Sequence, residues 1–162
     1  MIAKWVAVGV GMTNSAVTAY WLVGGSALLS TVGGEIERWG RQRTPGVLGV
    51  LAIVLMVKLT IAAVPVIITL LPGARVQRVG RVAGWVAAIV LMLYGGLLTV
   101  VGLLIQAGVV EASADADERA LAWHAYLWDP WFLTWGLALG AWLRLSIPLV
   151  GRQASIRPSA PS

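Results

Sequence analysis

Four long apolar runs, separated by three polar segments, dominate the pattern of hydrophobic and polar positions along this chain. The runs cover about residues 5–29, 47–71, 82–110 and 130–150. Each contains roughly the 20 mainly apolar residues that a helix needs to cross a bilayer. None alternates apolar and polar residues with a period of two, and only helices and closed barrels satisfy the backbone in lipid. The pattern therefore predicts an all-α fold, namely an integral membrane four-helix bundle.

The composition agrees with a lipid environment. Of the 162 residues, 59% are hydrophobic and only 12% are charged, whereas soluble domains average about 45–50% apolar and about 25% charged residues. We expect a single four-span domain over residues 1–150, followed by a polar tail over residues 151–162 that is expected to be disordered. The first apolar run is longer than that of a signal peptide, so we expect it to be retained as a span.

The basic residues bear on partners and orientation. The net charge is +5, but the twelve basic residues form no dense patch, so the expected partner is the lipid bilayer and not nucleic acid. With the N-terminus inside, the cytoplasmic side carries Lys4, Arg75, Arg78, Arg81, Arg152 and Arg157. The opposite side carries Arg38, Arg41, Arg43 and Arg119. This count favours an N-in, C-in topology, and the abundance of Arg, Ala, Gly and Val suggests a bacterial cytoplasmic membrane.

Small residues recur at four-residue spacing within two of the predicted spans. Gly11 and Ser15 do so in the first span, and Gly136 and Gly140 do so in the fourth. Such spacing lets helix backbones approach closely. The pattern predicts tight packing within one chain, with a contact between copies of the chain as the alternative.

The stretch "YLWDPWFLTWG" places an aspartate among tryptophans at the start of the fourth span. Aspartate is a favoured N-cap, and proline is favoured at the first helical position, so Asp129 and Pro130 are predicted to begin a helix. The tryptophans around them, including Trp128, are typical of the aromatic belt at the lipid–water boundary. Two interpretations of Asp129 remain open, a helix cap alone or a cap that also faces a polar pocket.

Several ionisable residues are predicted at the same face as Asp129. His124, the single histidine, lies five residues earlier, and the first loop contributes Glu35 and Glu37. Such groups near a desolvated rim suit acid–base chemistry, although pairing with Arg38, Arg41 or Arg119 would explain them equally. One histidine with scattered carboxylates fits no metal site, and the chain has no cysteine. No dinucleotide or phosphate-binding motif is present, so no cofactor is predicted.

Lys58 falls at the centre of the second span. A charge at that depth costs about 2.5–3.5 kcal/mol on insertion scales, and it usually faces the interior of a bundle. Asn14 and Tyr94 lie at similar depth in the first and third spans and are predicted partners. Glu35 or Glu37 would reach Lys58 instead if the first loop folded back. Two roles remain open for Lys58, contact with a ligand or a purely structural polar contact between helices.

Three stretches, "YWLVGGSALLSTVGGEIERWGR", "AGWVAAIVLMLYGGLLTVVG" and "WHAYLWDPWFLTWGL", resemble the bacterial four-span membrane family known as domain of unknown function 3995. The most specific parts are the tyrosine–tryptophan pair Tyr20–Trp21 with its glycines, the "GGEIE" loop, the "LYGGLL" span and the "WDPWF" helix entry. The resemblance implies the four-span fold. It implies no reaction.

Three functions are compatible with these features. The first is a module that holds a lipid-like or other apolar small molecule in a bundle pocket opening on the face of the first and third loops. The second is an intramembrane acid–base enzyme, an isomerase or hydrolase, with catalytic candidates Lys58, His124, Asp129 and Glu35. The third is a small oligomeric transporter; a membrane-protein partner or a homo-oligomer is compatible with each. The predicted ligand contacts are Asn14, Tyr20, Trp21, Glu35, Glu37, Lys58, Tyr94, His124, Trp128 and Asp129.

Overall fold

The computed structural model describes residues 2–71, 73–113 and 116–146, and within these ranges the chain is helical and contains no strand. The α-helices are α1 (Ile2–Leu22), α2 (Gly34–Gln42), α3 (Pro45–Leu70), α4 (Ala74–Gln106), α5 (Glu118–Trp123) and α6 (Asp129–Leu145). A short 3₁₀ turn covers Leu29–Thr31, and a π-helical turn covers His124–Trp128. The predicted all-α fold is confirmed. The end of the fourth predicted span, 147–150, and the tail lie outside the described residues.

Two helices, α3 and α4, are long and apolar enough to cross a membrane on the criteria of length and composition. Their apolar side chains point mainly outward, and Ile53, Met56, Leu93 and Leu97 are each more than 60% exposed. A soluble core helix buries such residues. The outward apolar surface of α3 and α4 is therefore a property of the fold that water alone does not explain.

Two helix boundaries near the first loop differ from the predicted spans. The predicted first span continues to residue 29, whereas α1 ends at Leu22, because Gly24 adopts a φ of 115° that a helix does not contain. The second predicted span begins at residue 47, whereas α3 begins at Pro45. The hydroxyl of Thr44 accepts from the Val47 amide, so this threonine caps the helix directly before its proline.

The third predicted span begins at residue 82, but α4 already begins at Ala74. The basic segment between the second and third runs is therefore helical. Its Arg81 reaches across the fold, where one guanidinium nitrogen donates to the Leu143 carbonyl at 2.7 Å and the other to the Ser146 hydroxyl at 2.9 Å. Arg81 is thus part of α4 and satisfies the Leu143 carbonyl at the end of α6, as basic side chains do at helix C-termini.

Asp129 does not cap a helix, so the prediction that it is the N-cap is wrong. Its backbone is helical, with φ −76° and ψ −43°, and the chain continues from α5 through the π turn into α6 without a break. Its side chain makes no capping hydrogen bond and instead meets His124. Pro130 is tolerated here because the wide π turn before it removes the clash that an α-helical carbonyl would cause.

Glycines let α4 and α6 approach until their backbones touch, in the most extensive helix pairing of the described residues. A Cβ atom added at Gly136 would lie 2.8 Å from the Met92 nitrogen and 2.9 Å from the Ala88 carbonyl oxygen. A Cβ atom added at Gly102 would lie 2.9 Å from the Cβ atom of Ala125. Only small residues permit helix packing at this distance.

The remaining contacts place α1 beside both α3 and α6. The core combines Ala7 of α1, Val64 and Ile68 of α3, and Leu139 and Leu143 of α6. By contrast, α3 and α4 share fewer contacts, although they are consecutive. The four long helices therefore form a bundle in which α1 and α6 are central.

Candidate functional site

The π-helical turn brings His124 and Asp129 together. Residues five apart in an α-helix lie about 140° apart around the axis, whereas a π-helix closes its backbone bond between such residues. Here the Asp129 amide donates to the His124 carbonyl. The side chains meet as well, with His124 Nδ1 3.2 Å from Asp129 Oδ1. The single histidine and the buried aspartate therefore form one unit, at the junction of the π turn with α6.

His124 lies between two hydrogen-bond acceptors. Its Nδ1 faces the Asp129 carboxylate, and its Nε2 lies 3.2 Å from the Val32 carbonyl oxygen in the first loop. A carbonyl oxygen only accepts, so both ring nitrogens donate when the imidazole is protonated. The hydrogen bond to Asp129 raises the pKa of His124 above its ordinary 6.5, and the charge of Asp129 and the Val32 carbonyl add to this against the lowering effect of burial. The protonated ring thus joins the first loop to α6.

This geometry predicts that stability falls as the pH rises. A raised pKa in the folded state means that His124 stabilises the fold fully below the pKa of about 6.5 in the unfolded chain. That contribution is lost as the pH rises through the folded-state value. We expect the midpoint of thermal unfolding in detergent to decrease as the pH rises above about 6.5, measured by intrinsic tryptophan fluorescence. His124→Gln should flatten this dependence, and an unchanged slope in that variant would contradict the assignment to His124.

A layer of tryptophans closes the fold beside this pair. The Trp128 indole donates to the Thr31 hydroxyl at 3.1 Å, and both residues are buried. Trp128 stacks on Trp131 with ring centroids 6.1 Å apart, and it meets Trp21 of α1 at 5.7 Å. Asp129, which follows Trp128 in the chain, is only 3% exposed. Aromatic side chains therefore surround Asp129, at the position where the sequence predicts the mouth of a pocket.

Tyr20 and Trp21 hold the loop that follows α1. The Trp21 indole donates to the Ala27 carbonyl at 2.9 Å, and the Tyr20 hydroxyl accepts from the Ala27 amide at 3.4 Å. Gly25 has no side chain because the Tyr20 ring occupies that space. The guanidinium of Arg43 donates to the carbonyl of Trp21 at 2.9 Å. These contacts explain the tyrosine–tryptophan–glycine motif as a structural element of the first loop.

Glu35 and Glu37 do not join the histidine pair. Both lie on α2, where Glu35 pairs with Arg38 and Glu37 pairs with Arg41 at 2.6 Å. Residues three and four apart are neighbours on a helix, so these local pairs form more readily than contacts with a distant loop. Of the carboxylates predicted to gather at this face, Asp129 alone contacts His124 among the described residues.

Lys58 reaches across from α3 to two other helices. Its amine donates to the Thr18 hydroxyl of α1 at 2.9 Å and lies 5.4 Å from the centre of the Phe132 ring of α6. Tyr94 of α4 meets the same ring edge-on, with centroids 5.5 Å apart. The partners of the amine are therefore Thr18 and Phe132, neither of which was predicted. Thr18 lies one helical turn after Asn14 on the same buried face of α1. This four-residue spacing in the sequence is the signal that could have identified Thr18 as a partner of Lys58.

Asn14 and Trp135 form the next layer of the bundle. Both are nearly fully buried, and neither Asn14 Oδ1 nor Trp135 Nε1 has a hydrogen-bond partner among the described residues. Trp135 packs with Ala62 and Leu91, so its surroundings are apolar. The structure thus places Asn14 one layer away from Lys58 and not in contact with its amine.

Two further observations concern cavities and metals. An open cavity of about 570 Å³ lies where the end of α4 meets α5. It is lined by Ile105, Gln106, Val110, Ala112, Glu118, Arg119 and Leu121, none of which is a predicted ligand contact. Within the described ranges, no three histidine, cysteine or acidic side chains come together as a metal site.

The fold and the site define an all-helical protein with two helices apolar enough to cross a membrane. A family model described as Protein of unknown function (DUF3995) matches residues 11–139. The chain therefore belongs to this family, and the predicted resemblance is confirmed. Among curated proteins and among solved structures, none matches the chain.

Proposed function

We propose that the chain is a four-span protein of the bacterial cytoplasmic membrane that holds an apolar molecule with a polar head inside its bundle. The outward apolar faces of α3 and α4 support the membrane assignment. The 21 residues of α1 extend about 31 Å, which matches the hydrocarbon thickness of a bilayer. In this proposal α1 and α6 are the first and fourth spans, and both termini are cytoplasmic.

The observation that carries the ligand proposal is the placement of Lys58. Its amine lies at mid-helix in an apolar bundle and has a hydroxyl and an aromatic ring as partners. An ammonium group has three N–H donors, so Thr18 leaves two for a further acceptor. Intramembrane ionisable residues commonly mark ligand or ion sites because their insertion is costly. Lys58, Thr18, Phe132 and Tyr94, which we call the Lys58 site, are therefore the proposed contacts of the polar head.

The enzyme and transporter alternatives gain less support. Both ring nitrogens of His124 are engaged by Asp129 and Val32, so neither is free to act as a base toward a substrate. A transporter requires a path that opens on both sides of the membrane. The tryptophan layer packs beside Asp129, where one such opening is predicted.

We expect gently extracted protein to retain a small apolar molecule, detected by native mass spectrometry as an added mass. Replacing Lys58 by Met should reduce the retained fraction by about tenfold, since a charge-assisted hydrogen bond contributes about 1.5–3 kcal/mol.

Lys4→Met provides a matched control. The Lys4 amine also donates to a threonine, Thr69 at 2.8 Å, and also lies near an aromatic ring, that of Trp5 at 5.1 Å. It is at the end of the bundle and should have no effect on retention. Wild-type protein without any added mass, extracted under conditions that preserve bound phospholipid in other proteins, would contradict the proposal.

A further inference from the structure

The two halves of α3 differ in how they are packed. All its buried residues lie in the second half, namely Ala62, Val64, Pro65 and Ile68. This half contacts α4 beside their connecting turn, where a Cβ atom added at Gly80 would lie 2.8 Å from the Ile68 side chain. A Cβ atom added at Gly84 would similarly lie 3.1 Å from Val64. The contact between α3 and α4 is therefore concentrated at one end.

Toward the first loop, α3 and α4 pack against different helices. The corresponding half of α4 lies against the π turn and α6, with Gly102 on Ala125. The amine of Lys58 instead extends toward Thr18 of α1. Val57 of α3 and Tyr94 of α4 are 54% and 50% exposed. These two half-helices pack against different neighbours, and we call the region between them, the first half of α3 and the second half of α4, the lateral cleft.

Phe132 of α6 forms the floor of this lateral cleft. Lys58 reaches its ring from the α3 side, and Tyr94 reaches it from the α4 side. The surface offered to the bilayer is therefore apolar and aromatic, with one amine at its inner end. No carboxylate within residues 2–71, 73–113 and 116–146 forms an ion pair with that amine.

We propose, resting on the ligand-holding function above, that the ligand is a long-chain carboxylic acid that enters from the bilayer through the lateral cleft. Its acyl chain lies along the apolar walls of α3 and α4, and its carboxylate accepts from the two remaining N–H groups of Lys58. Charge complementarity favours a carboxylate, because an ammonium in apolar surroundings is stabilised most by an opposite charge with directed hydrogen bonds. Entry from the side bypasses the tryptophan layer, which packs around Asp129 between the loop face and the bundle.

The head group is tested with the fluorescent probe cis-parinaric acid and its methyl ester, which share one chain and differ in charge. Full-length protein in phosphatidylcholine nanodiscs is titrated, and energy transfer from tryptophan is compared with that of empty nanodiscs. We expect saturable binding of the acid about tenfold tighter than that of the ester. Lys58→Met should remove this difference, whereas Lys58→Arg, which keeps the charge, should retain part of it.

The route is tested by closing the lateral cleft. Continuing the register of Ile68 with Gly80 and Val64 with Gly84 places Leu51 level with Leu97. The chain has no native cysteine, so Leu51→Cys and Leu97→Cys can be bridged selectively by a short bis-maleimide. We expect bridged protein to take up the acid at least about tenfold more slowly than the same variant capped with N-ethylmaleimide.

The outcomes separate this inference from the function on which it rests. Equal binding of acid and ester, or unchanged uptake after bridging, overturns the acid-and-cleft proposal while leaving a ligand-holding bundle intact. Absence of saturable binding for both probes, together with absence of a retained molecule, overturns both. Poor folding of Lys58→Met does not affect the comparison of acid with ester, which uses the wild-type chain.

Discussion

Replacing Gly95 by alanine is expected to destabilise the bundle by at least about 2 kcal/mol, because the added methyl group has no space. A Cβ atom at Gly95 would lie 2.7 Å from the Asp129 carbonyl oxygen and would also overlap the Leu133 nitrogen. Both neighbours are backbone atoms of α6. A flexible side chain can turn away, but a helix backbone has to move as a unit, so α4 and α6 would separate along their whole contact.

The adjacent glycine supplies the control. A Cβ atom at Gly96 would lie 3.5 Å from the Leu133 Cδ1 atom, an ordinary contact. Gly96→Ala should therefore be neutral, or stabilising by up to about 1 kcal/mol through its higher helix propensity. Unfolding by dodecyl sulfate in mixed micelles, followed by far-ultraviolet circular dichroism, measures both variants. Equal stability of the two would show that α4 and α6 do not cross at Gly95.

Truncating Trp135 is expected to cost about 3–5 kcal/mol, as for other large buried aromatic residues. Trp135 is 1% exposed, and its ring lies on Gly11 of α1, where an added Cβ atom would be 2.6 Å away. It also contacts Ala62 of α3 and Leu91 of α4. One side chain thus touches all three other long helices, so Trp135→Ala removes contacts that no neighbour can replace.

Trp5→Ala is the matched comparison, since Trp5 is 62% exposed near the start of α1. We expect a change within about 0.5 kcal/mol for Trp5→Ala, as is usual for surface positions. The same unfolding measurement applies, with near-ultraviolet circular dichroism as a second reading of tertiary packing. Equal effects of the two truncations would contradict the central position of Trp135.

The apolar runs were sufficient to predict an all-helical chain, because run length and the absence of a two-residue period depend on local sequence alone. The helix ends were harder to predict. Hydropathy excluded the arginines at the start of α4, yet Arg81 is helical and extends its long side chain to the end of α6. The Asp129–Pro130 pair is a standard start signal, but a helix already present from Glu118 continues through it. A local start signal therefore does not begin a new helix where the preceding helix continues.

Only part of the candidate site could be predicted from the sequence, because local sequence does not determine contacts between distant segments. The proximity of His124 to Asp129 follows from their closeness in sequence, although the π turn that aligns them leaves no recognisable pattern. The ion-pair partner of Glu35 depends on a competition between Arg38, one turn away on α2, and residues of a distant loop. Arg38 is closer and forms the pair. Phe132, the only phenylalanine, was overlooked because an aromatic residue in an apolar run carries no polar signal.

The two arginines that bind carbonyl groups at helix ends have a consequence for biogenesis. The carbonyls of Trp21 and Leu22 at the end of α1 accept from Arg43, which is synthesised later. The carbonyl of Leu143 in α6 accepts from Arg81, which is already in place when α6 emerges. In the proposed four-span topology, where free carbonyls are costly in lipid, the end of α1 gains its arginine partner only after the ribosome has delivered the segment between α2 and α3. The end of α6, in contrast, can bind Arg81 as soon as α6 has been synthesised.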